Sequence, residues 1–200
     1  MKLRHNPASP YVRKVMVCAH ELGLTGKIEL LTTAVSPVEV NATLAAENPL
    51  MKIPALTTDD GQVLFDSPVI CEYLDSVAGG GKLFPAGAAR WIALRQQALG
   101  DGILDALILC RYEIAARPEE KRFAGWTDAQ MRKAHQGLAA LEREDLSGVR
   151  TIGHVTAGCT LGYLDFRFPN DGWRARHAKL AAWYAGVEQL PSMQATKPAA

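Results

Sequence analysis

Residues 6–15 read NPASPYVRKV. A polar loop ends at Ser9, a proline follows, and helix-forming sequence begins at once. Ser9 therefore stands at a helix N-terminus, with Pro10 where a missing N–H costs nothing. Unpaired backbone N–H groups and the positive end of the helix dipole favour an anion at such a place, and a serine hydroxyl can donate one more hydrogen bond to it. The same hydroxyl also suits a plain N-cap role. A dithiol site in this frame would read C-P-Y-C. Here Ser9 and Val12 stand in the cysteine positions, so the site has no sulfur of its own.

Three further pieces carry chemistry. Ile53-Pro54, in NPLMKIPAL, is an X-Pro bond just before a strand. A cis bond would turn the Ile53 N–H and C=O outward as a free strand edge, on which an extended peptide could pair antiparallel. A trans proline would simply start the strand. Asp66-Ser67 precede Pro68 at another helix start. Ser67 either caps that helix or joins its first N–H groups in holding a ligand carboxylate, while Asp66 could take an ammonium; together they suit an α-amino-acid head group. Lys52 supplies either a cation for a second carboxylate or a solvated surface charge.

The elements that must hold these residues alternate over the first eighty positions. MKLRH reads as a strand, followed by helical spacing through Val12, Val15, Met16, Ala19 and Leu22 and a C-cap glycine at Gly23. KIELLTT is a strand, and SPVEVNATLAAEN reads as an irregular helix opening at Ser36-Pro37. PALTT and QVLF flank the turn signal Asp59-Asp60-Gly61. A helix then opens at Ser67-Pro68. This β-α-β-α-β-β-α order is the thioredoxin topology, giving an α/β thioredoxin-like domain over residues 1–77. Four glycines and a proline in 78–87 mark a linker. Residues 88–200 read as an all-α helical bundle domain, with one long helix near 88–115, a second entered by a Thr127/Gln130 capping box, and others near 152–166 and 174–188. LPSMQATKPAA reads as an extended tail.

Composition bounds the function. Lys and Arg total 22 against 21 Asp and Glu, which lacks the basic excess of a nucleic-acid binder. No stretch approaches the roughly 20 apolar residues of a membrane span. Four cysteines lie far apart, with no CxxC or Cys/His spacing, so neither a metal site nor a disulfide framework is expected, and the cytoplasm is the expected compartment.

SPYVRKV, NPLMKIPAL and LFDSPVICEYLD resemble, in order and spacing, the glutathione-binding domain of the glutathione transferases, and the helical second half is similar to their C-terminal domain. The S-P-Y form is similar to the serine-type members, among them the plant tau class and a group of bacterial enzymes, whose C-terminal region GYLDFRFP also resembles. The resemblance implies that Ser9 is the catalytic hydroxyl, donating to the sulfur of bound glutathione. It implies that the Ile53 backbone, before cis Pro54, pairs with the cysteinyl part, that Asp66 and Ser67 hold the γ-glutamyl end, and that Lys52 reaches the glycyl carboxylate. A free thiol has a pKa of about 8.5, so a helix N-terminus and a hydroxyl donor would enlarge its thiolate fraction. Serine then stabilises a nucleophile rather than acting as one.

The resemblance further implies a cytoplasmic homodimer, a detoxification role and a small hydrophobic electrophile bound between the domains. Tyr11, Ile108, Arg111 and Tyr112 are the candidates for that pocket. Asp101, which shares a helix face with Asp105, Ile108 and Tyr112, is the candidate to assist the glutathione ammonium across the dimer, although that face also suits an interface or solvent. Trp126 and Trp173 could border the cleft or sit in the core. Family members often open the last core helix with Ser/Thr-x-x-Asp; here Thr151 is followed by His154, which keeps the N-cap and leaves the reciprocal bond open. His5 and Asn6 read as loop residues. Within glutathione chemistry, peroxide reduction, dehalogenation and isomerisation are alternatives to conjugation. A transferase-fold interaction module without turnover is another.

Overall fold

The structure, a computed structural model, describes residues 1–199. Two compact units divide the chain, one formed by residues 1–87 with the segment from Pro191 onward, the other by Ala88–Leu190.

The first unit runs β1 (Lys2–His5), α1 (Pro10–Glu21), β2 (Glu29–Thr32), α2 (Ala42–Glu47), β3 (Leu56–Thr57), β4 (Val63–Leu64) and α3 (Ser67–Val77). The sheet order is β2-β1-β3-β4, with β1 parallel to β2 and antiparallel to β3, and β3 antiparallel to β4. This is the thioredoxin-like arrangement expected of the alternating signals. Val12, Val15, Cys18 and Ala19 are buried on α1, and Ile70, Cys71 and Leu74 on α3, which packs against it. Gly23 follows the α1 C-cap at φ 70°, a conformation that glycine adopts without a Cβ penalty. Arg4 binds both carboxylate oxygens of Glu47 and so ties β1 to α2. That pairing holds the Glu47 carboxyl below its ordinary pKa.

Two local expectations of this unit are corrected. Ser36 opens no helix: its hydroxyl accepts the N–H groups of Val38 and Glu39 at 3.2 and 3.1 Å and closes a turn. Asn41 is the cap that starts α2, accepting Leu44 N–H at 3.0 Å. The tail is not extended either, because Pro191–Ala195 forms a short helix, α9. It packs on α1: Arg13 donates from Nη2 to the Met193 carbonyl at 3.1 Å, and the Ser192 hydroxyl donates to Glu21 at 2.6 Å. The segment read as a linker is anchored, since Leu83 and Phe84 are buried and Leu83 N–H donates to the buried Asp75 carboxylate at 2.8 Å.

The second unit is helical: α4 (Ala88–Ala115), α5 (Ala124–Leu141), α6 (Ile152–Arg167), α7 (Trp173–Arg176) and α8 (Ala178–Val187). The pattern near 174–188 thus resolves into two helices broken at His177. Thr127 lies inside α5 rather than at its start. Phe123 is the N-cap, and its N–H donates to Glu113 on α4 at 2.8 Å.

α4 packs along α5 and α6. The α4–α6 crossing is close because glycine stands at the contacts. A Cβ on Gly153 would fall 2.6 Å from Gln96 Cβ and 3.1 Å from the Ala93 carbonyl oxygen, and one on Gly100 would fall 2.8 Å from Thr156 Cγ2. At that separation the Thr160 hydroxyl reaches the Gly100 carbonyl at 3.2 Å. The start of α6 answers the question left by its sequence. Thr151 and His154 close a full capping box, with His154 Nδ1 accepting Thr151 N–H at 3.1 Å in place of a carboxylate.

Candidate functional site

Sheet register decides which candidates meet. Arg4 N–H donates to the Ala55 carbonyl at 2.9 Å, so the chain leaving β1 and the chain entering β3 lie at one end of the sheet. Leu56 pairs with Leu64, so the chain leaving β4 emerges at that end as well. Ser9, Ile53-Pro54 and Asp66-Ser67 occupy those three connections, and the N-termini of α1 and α3 open beside them. Residues scattered over some sixty positions are gathered by two antiparallel pairings.

Ser9 is the N-cap of α1. Its backbone is extended (φ −83°, ψ 121°), its side-chain oxygen accepts Val12 N–H at 3.3 Å, and its own N–H donates to the Asn6 carbonyl at 3.0 Å. The capping reading is therefore realised, and it does not exhaust the residue. A hydroxyl that accepts through a lone pair keeps its hydrogen to donate elsewhere. Asn6 has the loop role expected of it, its side-chain oxygen accepting Ala8 N–H at 2.9 Å. His5, at the end of β1, is half-buried, and that burial lowers its imidazole pKa.

The Ile53-Pro54 bond is cis, and both residues are buried. Lys52 is exposed. The sequence reading passed over Asn48, which organises the approach to this bond. Asn48 is 1% exposed, donates from Nδ2 to the Lys52 carbonyl at 2.8 Å and accepts Leu50 N–H at 3.0 Å. An asparagine two residues before a leucine in a Pro-containing loop is an Asx-turn signal that could have identified it.

At α3 the expected cap is shifted by one residue. Asp66 is the N-cap, exposed, and its carboxylate makes no capping bond to the helix; Ser67 is the first helical residue and only 2% exposed. Pro68 has no N–H to satisfy. An exposed carboxylate thus stands next to a buried hydroxyl at a helix start.

The other candidates fall on separate units. Tyr11, half-buried in the first turn of α1, has Lys14 Nζ 5.9 Å from its ring centre. Asp101, Ile108, Arg111 and Tyr112 lie on α4 of the helical unit, the first three half-buried and Tyr112 exposed. Burial nonetheless raises the Tyr112 phenol pKa. Trp173 is a core residue, 2% exposed, with its indole N–H on Asp165 at 2.9 Å, whereas Trp126 is exposed. All four cysteines are buried free thiols. Among the described residues no group of His, Cys, Asp and Glu side chains is arranged to hold a metal ion, and no helix is long and apolar enough to cross a membrane.

Comparison with known proteins agrees with this geometry. Residues 8–77 match the model of the glutathione S-transferase N-terminal domain, and residues 124–186 that of the C-terminal domain. An uncharacterised GST-like protein of Escherichia coli K12, YibF, is 29% identical over 204 residues, covering 99% of this chain and 98% of its own. A glutathione transferase family member from Pseudomonas fluorescens Pf-5, solved with bound glutathione, is 50% identical with a TM-score of 0.96, over 100% of this chain and 99% of that one. A family member from the same strain, solved with S-(propanoic acid)-glutathione, is 48% identical with a TM-score of 0.92, over the full length of both chains. With both domain models matched in order and relatives similar from end to end, the chain belongs to the glutathione S-transferase family.

Proposed function

We propose that the protein is a glutathione transferase that joins the glutathione thiolate to small, largely apolar electrophiles. The convergence of Ser9, Ile53-Pro54 and Asp66-Ser67 at one end of the sheet carries this reading. The glutathione held by the P. fluorescens relative supports the co-substrate, and the S-(propanoic acid) adduct in its companion supports a site that accepts a substituent on sulfur.

In this mechanism the Ile53 backbone pairs with the cysteinyl unit of the tripeptide and sets its sulfur toward the start of α1. Asp66 takes the γ-glutamyl ammonium, and Ser67 with the first turn of α3 takes its carboxylate. Lys52 meets the glycyl carboxylate from the exposed side of the loop. Ser9 accepts from Val12 N–H, which polarises the hydroxyl, and donates its hydrogen to the sulfur. The thiol proton leaves to solvent, and the thiolate is stabilised by that donor and by the α1 dipole. The sulfur lone pair then attacks the electrophilic carbon. The residues proposed to contact the electrophile are Tyr11 on α1 and Ile108, Arg111 and Tyr112 on α4. The working form is a cytoplasmic homodimer in which Asp101 assists the partner's bound ammonium.

Calorimetric titration with glutathione in two buffers of different ionisation enthalpy tests the reading. Saturable binding with proton release near neutral pH is expected, since the thiol ionises in the site. No binding at millimolar glutathione would overturn it.

A further inference from the structure

The turn that leads into Ile53 is governed by one side chain. Asn48 is the C-cap of α2, and each of its four polar groups is engaged. Its N–H donates to the Leu44 carbonyl at 2.7 Å, and its carbonyl accepts Met51 N–H at 2.8 Å. Its Oδ1 accepts Leu50 N–H at 3.0 Å, and its Nδ2 donates to the Lys52 carbonyl at 2.8 Å. The residue is 1% exposed, so these bonds are sheltered from water. Its own position is anchored. Leu44 is fully buried on α2, and the preceding Glu47 binds Arg4 of β1 through both carboxylate oxygens.

Asn48-Pro49-Leu50-Met51 is a turn closed by the Met51 N–H, with proline where its fixed φ suits a turn. Met51 then stands at φ 51°, left-handed backbone that a methionine rarely adopts. Bonds to Asn48 hold the Met51 N–H and the carbonyl of the next residue, which keeps that backbone in place. The carbonyl end matters most. Lys52 C=O and Ile53 N–H belong to one planar trans peptide, so they point in opposite directions. Nδ2 draws the carbonyl toward Asn48, and the Ile53 N–H is thereby turned away from it. Ile53 is 8% exposed, and among the described residues neither its N–H nor its carbonyl has a hydrogen-bond partner. A nearly buried peptide edge without partners is costly, and a paired ligand offsets that cost.

We propose that Asn48 is a positioning residue for glutathione: its carboxamide sets the plane of the Lys52–Ile53 peptide and so aims the Ile53 N–H at the cysteinyl carbonyl. This rests on the transferase reading above and adds to it the group that orients the pairing edge. Asn48 touches no part of the tripeptide in this scheme. It acts through the peptide it holds. An aspartate in its place would keep the turn, since a carboxylate still accepts Leu50 N–H, but it has no hydrogen to give the Lys52 carbonyl. The two facing oxygens would repel, and the peptide plane would be released.

Calorimetry on the purified protein tests this with two ligands. One is glutathione; the other is its isostere with an (E)-alkene for the cysteinyl–glycyl amide, which keeps the shape and both end groups but offers Ile53 no carbonyl. The parent protein is expected to bind glutathione about tenfold more tightly than the alkene, the weight of one hydrogen bond to a buried N–H. In Asn48→Asp that ratio is expected to fall to about one. A side chain that only stabilised the turn would weaken both ligands alike and leave the ratio at its parent value. Asn48→Ser, with an oxygen that suits the same turn and no amide, is the second variant, and thermal melts check the folding of both. A ratio unchanged in a folded variant overturns the proposal, and equal affinities in the parent overturn it without any variant. If neither variant folds, Asn48 serves the fold and the assignment falls. If neither ligand binds the parent, the transferase reading falls and the positioning role with it.

Discussion

Ser9 Oγ and Val12 N are joined across the first turn of α1 at 3.3 Å, so the oxygen that caps the helix is the same one proposed to donate to the thiol. The two duties separate by substitution. Ser9→Ala removes the cap and the donor, and is expected to cost about 1 kcal/mol of stability and roughly a hundredfold in kcat. Ser9→Asp keeps a capping oxygen but sets a carboxylate beside the sulfur. It should recover the melting temperature and not the turnover. Recovery of both would reduce Ser9 to a cap.

The adjacent charge and hydroxyl at the start of α3 make a different prediction. Asp66→Asn and Ser67→Ala are each expected to raise the apparent KM for glutathione about tenfold while changing kcat much less, because in the proposed mechanism they hold a part of the tripeptide remote from the reacting sulfur. Steady-state kinetics over a range of glutathione concentrations supply the split. A loss confined to kcat would remove both from the binding role.

His154 gives the helical unit a pH dependence that a carboxylate at the same place would lack. Its Nδ1 must be unprotonated to accept Thr151 N–H. Burial lowers its pKa against the pull of Asp145, with Arg150 acting in the same direction as burial and the Trp183 ring 6.4 Å away. The folded-state pKa lies below the unfolded value of about 6.5, so the stabilisation is complete above that value. As pH falls below it, the unfolded chain takes up a proton that the folded chain refuses, and the contribution is lost. His154→Asp should therefore lose less stability than the parent between pH 7.5 and 5.5, by about 1 kcal/mol, read by urea melts at both values. Equal losses would disprove the role.

Gly153 tests the helix crossing. Its missing Cβ is what lets α6 approach Gln96 and the Ala93 carbonyl, so Gly153→Ala is expected to destabilise the protein by about 1–3 kcal/mol despite alanine's better helix propensity. Gly186, on α8 with open space around it, is the control: Gly186→Ala should leave the thermal melt unchanged or raise it.

What the sequence made legible were features encoded over short spans. The α1 face through Val12, Val15 and Ala19, the Asp60-Gly61 turn and the paired Ser-Pro helix starts could each be read within a few residues. Ser36-Pro37 looks like the start at Ser67-Pro68, yet closes only a turn, and α2 starts at Asn41 instead. At Thr127 the capping pattern was present, but the helix is capped four residues earlier, at Phe123, whose N–H donates to Glu113. Asn48 carries a signal just as local, since its side chain accepts the N–H of Leu50 two residues on. The nearness of Arg111 to the Tyr163 hydroxyl, by contrast, carried no local signal, because it exists only once α4 and α6 pack.

The short helix α9 gives the molecule an order of assembly. The first unit is interrupted by the entire helical unit and receives its last piece only at Pro191 and beyond. Arg13 is made before the helical unit, and the Met193 carbonyl that accepts its hydrogen bond only after it. A nascent chain halted after residue 87 would hold every strand of the sheet and still lack the acceptor for that guanidinium. Domains of growing chains commonly complete themselves in sequence order. This one is begun before the helical unit and closed after it, which makes the helical unit an insertion within the unit that precedes it.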